Sequence, residues 1–426
     1  MMLLPLVRGA MNSQYRSIGT ILLGSAIVFL GYGLMVTLVP IRAQMEGFGS
    51  SAIGLMGSAY FVGFVIGCIV GPKVVQAVGH TRAFAGFAAL VAALTLIFPM
   101  VVDPWTWTIL RGISGICLAV VYMVIESWLN EQATNRIRGT VLSLYIIIGN
   151  LATIGGQQMV ALSDTRSYVL FSLVAILVAI SLVPVSLAPV REPDQIPTAK
   201  LRFARLYNLS PTGFVGCVLV GVADGAFWTF GPVFAQTRGL PVSEIALFMG
   251  AFMVGGTILQ WPLGWLSDRI DRRIVIGLCA TATIGTGLAL AFWYPPVPWM
   301  GFALALVHGG VMTPIYALCI AHSNDFAPNE EMVEVSSGLL LIYGVGAALG
   351  PVALGPLMDG FGAGSLFVMV AIIFASLALF SLYRITKHRV AAAETRTPFA
   401  PVPKSSQSVY ALETDDEEEV FTELGK

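Results

Sequence analysis

The chain has 426 residues, 56% of them hydrophobic and only 11% charged, with a mean hydropathy of +0.82 and a formal net charge of −1. An average soluble domain carries about 25% charged residues, so this composition excludes a water-exposed globular enzyme. The few basic residues are scattered through short polar segments, which excludes a nucleic-acid surface.

Apolar stretches of about 20 residues recur along the chain, each long enough to cross a hydrocarbon core about 30 Å thick. No alternating pattern of barrel strands accompanies them, so backbone polar groups have to be satisfied within helices. The fold class expected is an all-α integral membrane protein of twelve spans in two related six-helix halves.

Residues 1–16 are expected to be a cytoplasmic N-terminus; they contain no small-residue cleavage site, and no removable signal peptide is predicted. The first span, 17–40, carries Tyr32. The second, 51–72, sets Gly63, Gly67 and Gly71 at four-residue spacing, a row that lets a neighbouring helix approach closely. Its end, Gly67 to Lys73, lacks Walker spacing, which argues against ATP coupling within this chain. The third span is 83–102. The fourth, 105–129, contains Arg111 and Glu126, which share a helical face with Gly115 and Tyr122 but lie about 22 Å apart along the axis. The fifth and sixth, 139–162 and 167–189, complete the first bundle, 17–189.

The longest polar interruption between spans, 190–209, is read as a cytoplasmic linker. Beyond it the second bundle, 210–384, opens with a span at 210–235, where Asp224 sits centrally with Phe227 and Trp228 at i+3 and i+4. Spans follow at 242–264, 274–294, 299–322, 334–357 and 364–384. The tenth places His308, Met312, Tyr316 and Cys319 on one stripe, a titratable imidazole above a phenol. Residues 385–426 turn Pro/Ser-rich and then acidic, from Asp415 to Glu419, and are expected to be a disordered cytoplasmic tail. All five cysteines fall in apolar runs without metal-ligand spacing and read as packing residues, so no metal or cofactor is expected.

Two further patterns bear on organisation. Gly149, Gly155 and Gly156 in the fifth span are echoed by Gly344, Gly350 and Pro351 in the eleventh, as duplicated transporter halves require. With both ends inside, the cytoplasmic segments hold most of the basic residues, including Lys73, Arg136, Arg202 and Arg272, against Arg42, Arg166 and Arg238 outside. That asymmetry predicts a multi-pass inner-membrane protein with both termini cytoplasmic.

The segment Gly264-Trp-Leu-Ser-Asp268-Arg269-Ile-Asp271-Arg272-Arg273 resembles the signature loop of the major facilitator superfamily. In that family the Asp ends its helix and the basic residues bind neighbouring helix ends, a latch closing the cytoplasmic gate; the resemblance gives these parts to Gly264, Asp268, Arg269, Arg272 and Arg273. The first-half copy, Gly67 to Arg82, lacks the Asp. Arg111-Gly-Ile-Ser-Gly115 resembles the family pattern in which a buried Arg is linked to proton coupling. Glu126-Ser127-Trp128-Leu129-Asn130 and His322-Ser-Asn324-Asp325 are similar to features of the YcaD-like bacterial permeases, a likeness covering residues 17 to 385. In the family fold, spans 1, 4, 7 and 10 line the central cavity, which would bring Tyr32, Arg111, Tyr122, Glu126, Asp224, Trp228, His308 and Tyr316 together.

An ionisable group at mid-membrane costs about 2.5–3.5 kcal/mol on insertion scales, so Asp224, Arg111, Glu126 and His308 are the candidates for substrate and proton work. Each also has a bland reading: a carboxyl or imidazole bonded to a neighbouring helix, a gate pair for Glu126 with Arg136 or Arg138, a cation reaching the interface for Arg111. The expected function is secondary transport of a small organic solute by alternating access, coupled to protons, by a chain acting as a monomer. A central carboxylate beside Trp228 fits an organic cation and multidrug export; Arg111 and His308 fit an anion. His-Glu-x-x-His and Gly-x-Ser-x-Gly are both missing, which argues against an intramembrane enzyme. A non-transporting sensor or scaffold using the acidic tail is the remaining alternative.

Overall fold

The computed structural model describes residues 4–187, 203–292, 297–328, 331–387 and 399, and every regular element among them is helical. The first six long helices are α1 (Leu4–Met45), α2 (Ser50–Val78), α3 (His80–Ile97), α4 (Pro104–Gln132), α5 (Asn135–Gln158) and α6 (Val169–Leu187). A short α7 (Phe203–Leu209) leads into α8 (Pro211–Thr237), α9 (Val242–Arg269) and α10 (Arg272–Phe292). Then come α11 (Pro298–Met312), α12 (Pro314–Asn324), α13 (Met332–Phe361) and α14 (Ser365–Lys387). With α11 and α12 taken as one path, eleven of these are long and apolar enough to cross a membrane, and the shorter apolar helix Val169–Val185 makes the twelfth.

Local signals set the ends. Asp103 caps α4 by accepting the Thr106 N–H at 2.8 Å, and Ser210 caps α8 by accepting that of Gly213; each is followed by Pro at the first helical position, where no N–H is needed. Gly79 and Gly362, both with positive φ, end α2 and α13. The spans run a few residues past their predicted limits at most ends, α9 reaching Arg269. The tenth span keeps helical dihedrals through Thr313, where the α11 and α12 segments meet and Pro314 supplies no donor. Part of the expected linker, 203–209, is helical, and 385–387 of the expected tail finish α14; the rest of the linker, 190–202, and of the tail, apart from Phe399, lie outside the described residues.

The outside of the bundle is apolar: Trp261, Phe292 and Ile372 are each more than 60% exposed, a surface suited to lipid. The inside is set by glycine. A Cβ on Gly33 of α1 would strike the Thr153 carbonyl of α5, and one on Gly156 the Leu30 carbonyl of α1. In the second group, Gly225 of α8 meets the Ala347 carbonyl of α13, and Gly350 that of Val222. The same reciprocal backbone contact therefore joins the first and fifth spans and the seventh and eleventh. The row Gly63, Gly67, Gly71 does pack closely, against Gly112, Ile116 and Met123 of α4.

The two groups meet along α2 and α13, α5 and α9, and α1 and α8. At the end away from the α7 linker, Asp359 of α13 accepts the Ser50 and Ser51 N–H groups at the start of α2. Gln158 of α5 donates to the Ala246 carbonyl of α9 at 2.9 Å, and Ser58 of α2 accepts the Val352 N–H at 3.0 Å. Asn150 reaches Thr257 at 3.1 Å, deeper in. These bonds tie the two groups together on the far-end side.

Candidate functional site

Between the groups lies a cavity of about 240 Å³. Its walls are largely aromatic. On the first group Phe29 stacks on Tyr122 with ring centroids 5.2 Å apart, and Tyr32 meets Tyr122 edge-on at 6.3 Å. On the second, Trp228 stands edge-on to Phe252 at 5.9 Å, and Tyr316 and Tyr343 lie 4.8 Å apart. Asn150 and Gln260 add side-chain amides.

Asp224 is the one charged side chain among the described lining residues. It lies midway along α8 and is 1% exposed; its Oδ2 accepts the Tyr343 hydroxyl at 2.9 Å. A buried carboxylate needs such donors, and Tyr343 supplies one from α13 across the glycine seam. Phe227, expected on the same face, instead stacks on Phe252 within the second group, leaving Trp228 alone at the cavity. The Tyr122 hydroxyl is buried without a hydrogen-bond partner among the described residues.

Tyr32, Tyr122, Asp224, Trp228 and Tyr316 are thus brought together, and three expected members are not. Arg111 is one layer out, lining a separate space of about 20 Å³ with Trp228; its guanidinium sits 4.2 Å from the ring centre of Tyr60, which does line the cavity. Glu126 is 2% exposed behind the wall and accepts the Tyr145 hydroxyl at 3.0 Å. Tyr145 lines the cavity, and Arg138 shares a small space with Glu126 on the side away from it. His308 departs furthest. It is wholly buried inside the second group, its Nδ1 2.8 Å from the Thr286 hydroxyl and its ring 5.3 Å from that of Phe367. Of the stripe that joined His308 to Tyr316, only Tyr316 lines the cavity.

Tyr60, Tyr145, Asn150, Gln260 and Tyr343 escaped the sequence reading. The two amides were visible as polar residues inside apolar spans. The tyrosines resemble ordinary packing residues until the helices are rotated into place.

The signature segment lies at the linker end. Arg272, 1% exposed, donates from Nε to Asp325 at 2.8 Å, from Nη1 to the Ser267 hydroxyl at 2.9 Å, and pairs with Asp268 at 3.1 Å. Arg273 clasps Asp271 and donates to the Arg384 carbonyl at 3.0 Å. Burial opposes ionisation of Asp271, but the bonds from the Arg273 side chain and N–H outweigh it and hold the carboxyl below its usual range. Arg269 stacks on Trp265 at 3.4 Å, Gly264 leaves room for the Phe399 ring, and the Phe399 backbone N–H donates to Asp268 at 3.0 Å. In the first group His80 stands at the matching helix start, 3.1 Å from the Ser127 hydroxyl. Among the described residues no group of three His, Cys, Asp or Glu side chains could hold a metal ion.

A profile of the Major Facilitator Superfamily matches residues 21–241 and 213–414. An MFS-type transporter of Enterobacter sp. (strain 638) is 26% identical over 369 residues, 85% of this chain and 94% of that protein. The MFS-type transporter YcaD of Escherichia fergusonii is 25% identical over 386 residues, 89% and 98%. Among solved structures, the nucleoside transporter NupG superposes with a TM-score of 0.76 at 15% identity, covering 88% of this chain and all of that one. The Escherichia coli fucose:proton symporter FucP gives 0.55 at 15% identity, covering 87% and 99%. The solved structures share the fold.

Proposed function

This chain belongs to the Major Facilitator Superfamily, and from that premise we propose that it moves a small organic cation across the membrane by alternating access, in exchange for protons at Asp224. It is a multi-pass transporter and not an enzyme. One observation carries the choice of charge: Asp224 is the only charged side chain among the described cavity residues, whereas Arg111 and His308, on which an anion would have to rest, lie outside the cavity.

A cation and a proton cannot both neutralise one buried carboxylate, so each displaces the other. With the cation bound, Trp228, Tyr316 and Tyr343 offer their ring faces to its charge. With the proton bound, a neutral Asp224 keeps its bond to Tyr343 and the cavity is empty of charge. Arg111 acts through Tyr60, and Glu126 through Tyr145, as positioning residues or relay points behind the wall. Proton coupling on this fold has a precedent in the fucose:proton symporter.

The basic residues of the linker end support a cytoplasmic location for both termini in the inner membrane. The far-end bonds from Asp359, Gln158 and Ser58 then make this an inward-facing conformation, with residues 17–189 and 210–384 as the two moving bundles joined by the linker 190–209. The latch around Asp268 and Arg272 belongs to the opposite state's gate, and each chain acts as a monomer with a complete cavity.

The test is exchange in proteoliposomes. An imposed pH gradient should drive accumulation of an aromatic organic cation such as ethidium, and D224N should abolish the uphill component. Gradient-driven accumulation that persists in D224N would refute the role of Asp224; accumulation of anions alone would refute the substrate class.

A further inference from the structure

We propose that the second six-helix group carries a separate binding site for a phosphate-type oxyanion at its linker end, filled by the headgroup phosphate of a membrane lipid. A second cavity, of about 220 Å³, opens there among the ends of α8, α10, α12 and α14, distant from Asp224. Among its described lining residues are Arg273, His322 and Arg384, and none is a carboxylate.

These cationic and donor groups differ in how far they are already engaged. Arg272, behind the site, is consumed by Asp268, Asp325 and Ser267. Arg273 is held by Asp271 and the Arg384 carbonyl. Arg384 is different: its Nε is buried with no hydrogen-bond partner, and no ion pair engages its guanidinium among the described residues. His322 is only 7% exposed, touches Phe326 edge-on at 5.2 Å, and has no hydrogen bond to another described residue. A nearly buried imidazole without a hydrogen bond to a described residue, set beside an open space that two arginines also line, calls for an acceptor-rich ligand.

The helix at the site strengthens this. The 27-residue α8 begins there, with its positive end at the cavity. Ser210 takes the Gly213 N–H and Pro211 has none, so the Thr212 N–H is the first-turn donor left at the cavity wall. A tetrahedral oxyanion would meet a backbone N–H, an imidazole N–H and one or two guanidinium groups, a set suited to phosphate.

The rim favours a lipid over a soluble phosphate. Phe326, on the cavity wall, is 39% exposed, and Tyr383, beside Arg384, is 55% exposed. Such aromatic rings sit at the level of lipid headgroups, where helix ends emerge from hydrocarbon.

The full chain purified in neutral detergent provides the test. Its unfolding midpoint is followed during titration with short-chain phosphatidylglycerol, with phosphatidylcholine, and with inorganic phosphate at constant ionic strength. We expect a saturable rise of several degrees with phosphatidylglycerol, weaker with phosphatidylcholine, and at least tenfold weaker apparent affinity in R384Q and H322Q, with R384K in between. Saturation by inorganic phosphate, with the same loss in both variants and no added effect of lipid, would keep the oxyanion site and overturn its lipid source. No saturable response to any of the three, or variants that respond as the parent does, would overturn the site itself. If R384Q does not fold, H322Q is read alone by the same criterion. Cation exchange at Asp224 is measured separately, so loss of either reading leaves the other standing.

Discussion

Asp359 and Ser51, 308 positions apart, are joined twice: one carboxylate oxygen of Asp359 accepts the Ser51 N–H at 3.0 Å and its hydroxyl at 2.6 Å. The other accepts the Ser50 N–H at 2.8 Å, so a carboxylate from the end of α13 rests on the positive end of α2. Because the site is exposed, the contact is worth about 1 kcal/mol. D359N should therefore shift the balance towards the state open at the far end by about fivefold. Alkylation by an impermeant thiol reagent at a cysteine placed at Tyr60 reads that shift, and an unchanged rate would mean that the contact does not hold the far gate.

Asp224 and Tyr343 give a graded prediction. Y343F removes one hydrogen bond to the carboxylate and leaves the charge, a loss of about 1–3 kcal/mol. Cation exchange should persist but slow several-fold, because the carboxylate loses one of the donors that hold it in place. D224N should remove the pH dependence altogether. An exchange rate unchanged in Y343F would separate that hydroxyl from the transport step.

Tyr122 offers a cleaner separation of folding from function. Its hydroxyl is buried without a partner among the described residues, so Y122F removes an unsatisfied group and should leave the unfolding midpoint unchanged or slightly raised. If the hydroxyl serves the solute, half-saturation for the transported cation should still rise several-fold. Equal stability with equal transport would reduce Tyr122 to a wall.

Asp271 predicts a pH window for the linker-end network. Its carboxyl titrates below the usual range, so its contribution is complete above the unfolded value of about 3.9 and is lost as pH falls through the lower folded value. D271N should lower the unfolding midpoint by a constant amount from pH 8 to about 5, and the two proteins should converge only in stronger acid. A difference that vanished near neutrality would assign the effect elsewhere.

Spans, duplication and the signature segment were legible from the chain alone because each rests on short-range pattern: hydropathy over about 20 residues, glycine spacing, one charged loop. The cavity was half legible. Asp224 stood out as a charge amid apolar residues, and Trp228 followed from helical spacing. His308 was misplaced because helical spacing shows which residues share a stripe but not where along it the cavity lies, and His308 packs against Thr286 and Phe367 inside the second group. Arg111 and Glu126 were placed on one correct face of α4, yet Tyr60 and Tyr145 from other helices stand between them and the space. Which aromatic ring intervenes depends on the rotation of neighbours, and no local pattern encodes that.

The reciprocal glycine seams, Gly33 with Gly156 and Gly225 with Gly350, bring main chains into direct contact and leave nothing compressible between them. An alanine at any of the four wedges two backbones apart, at about 1–3 kcal/mol. Each pair of helices therefore behaves as a single stiff plank, and displacement in a working cycle falls on the joints held by a few polar side chains. Distance probes fixed within one plank should report a constant length under every substrate and pH condition, and those spanning α2 and α13 should not.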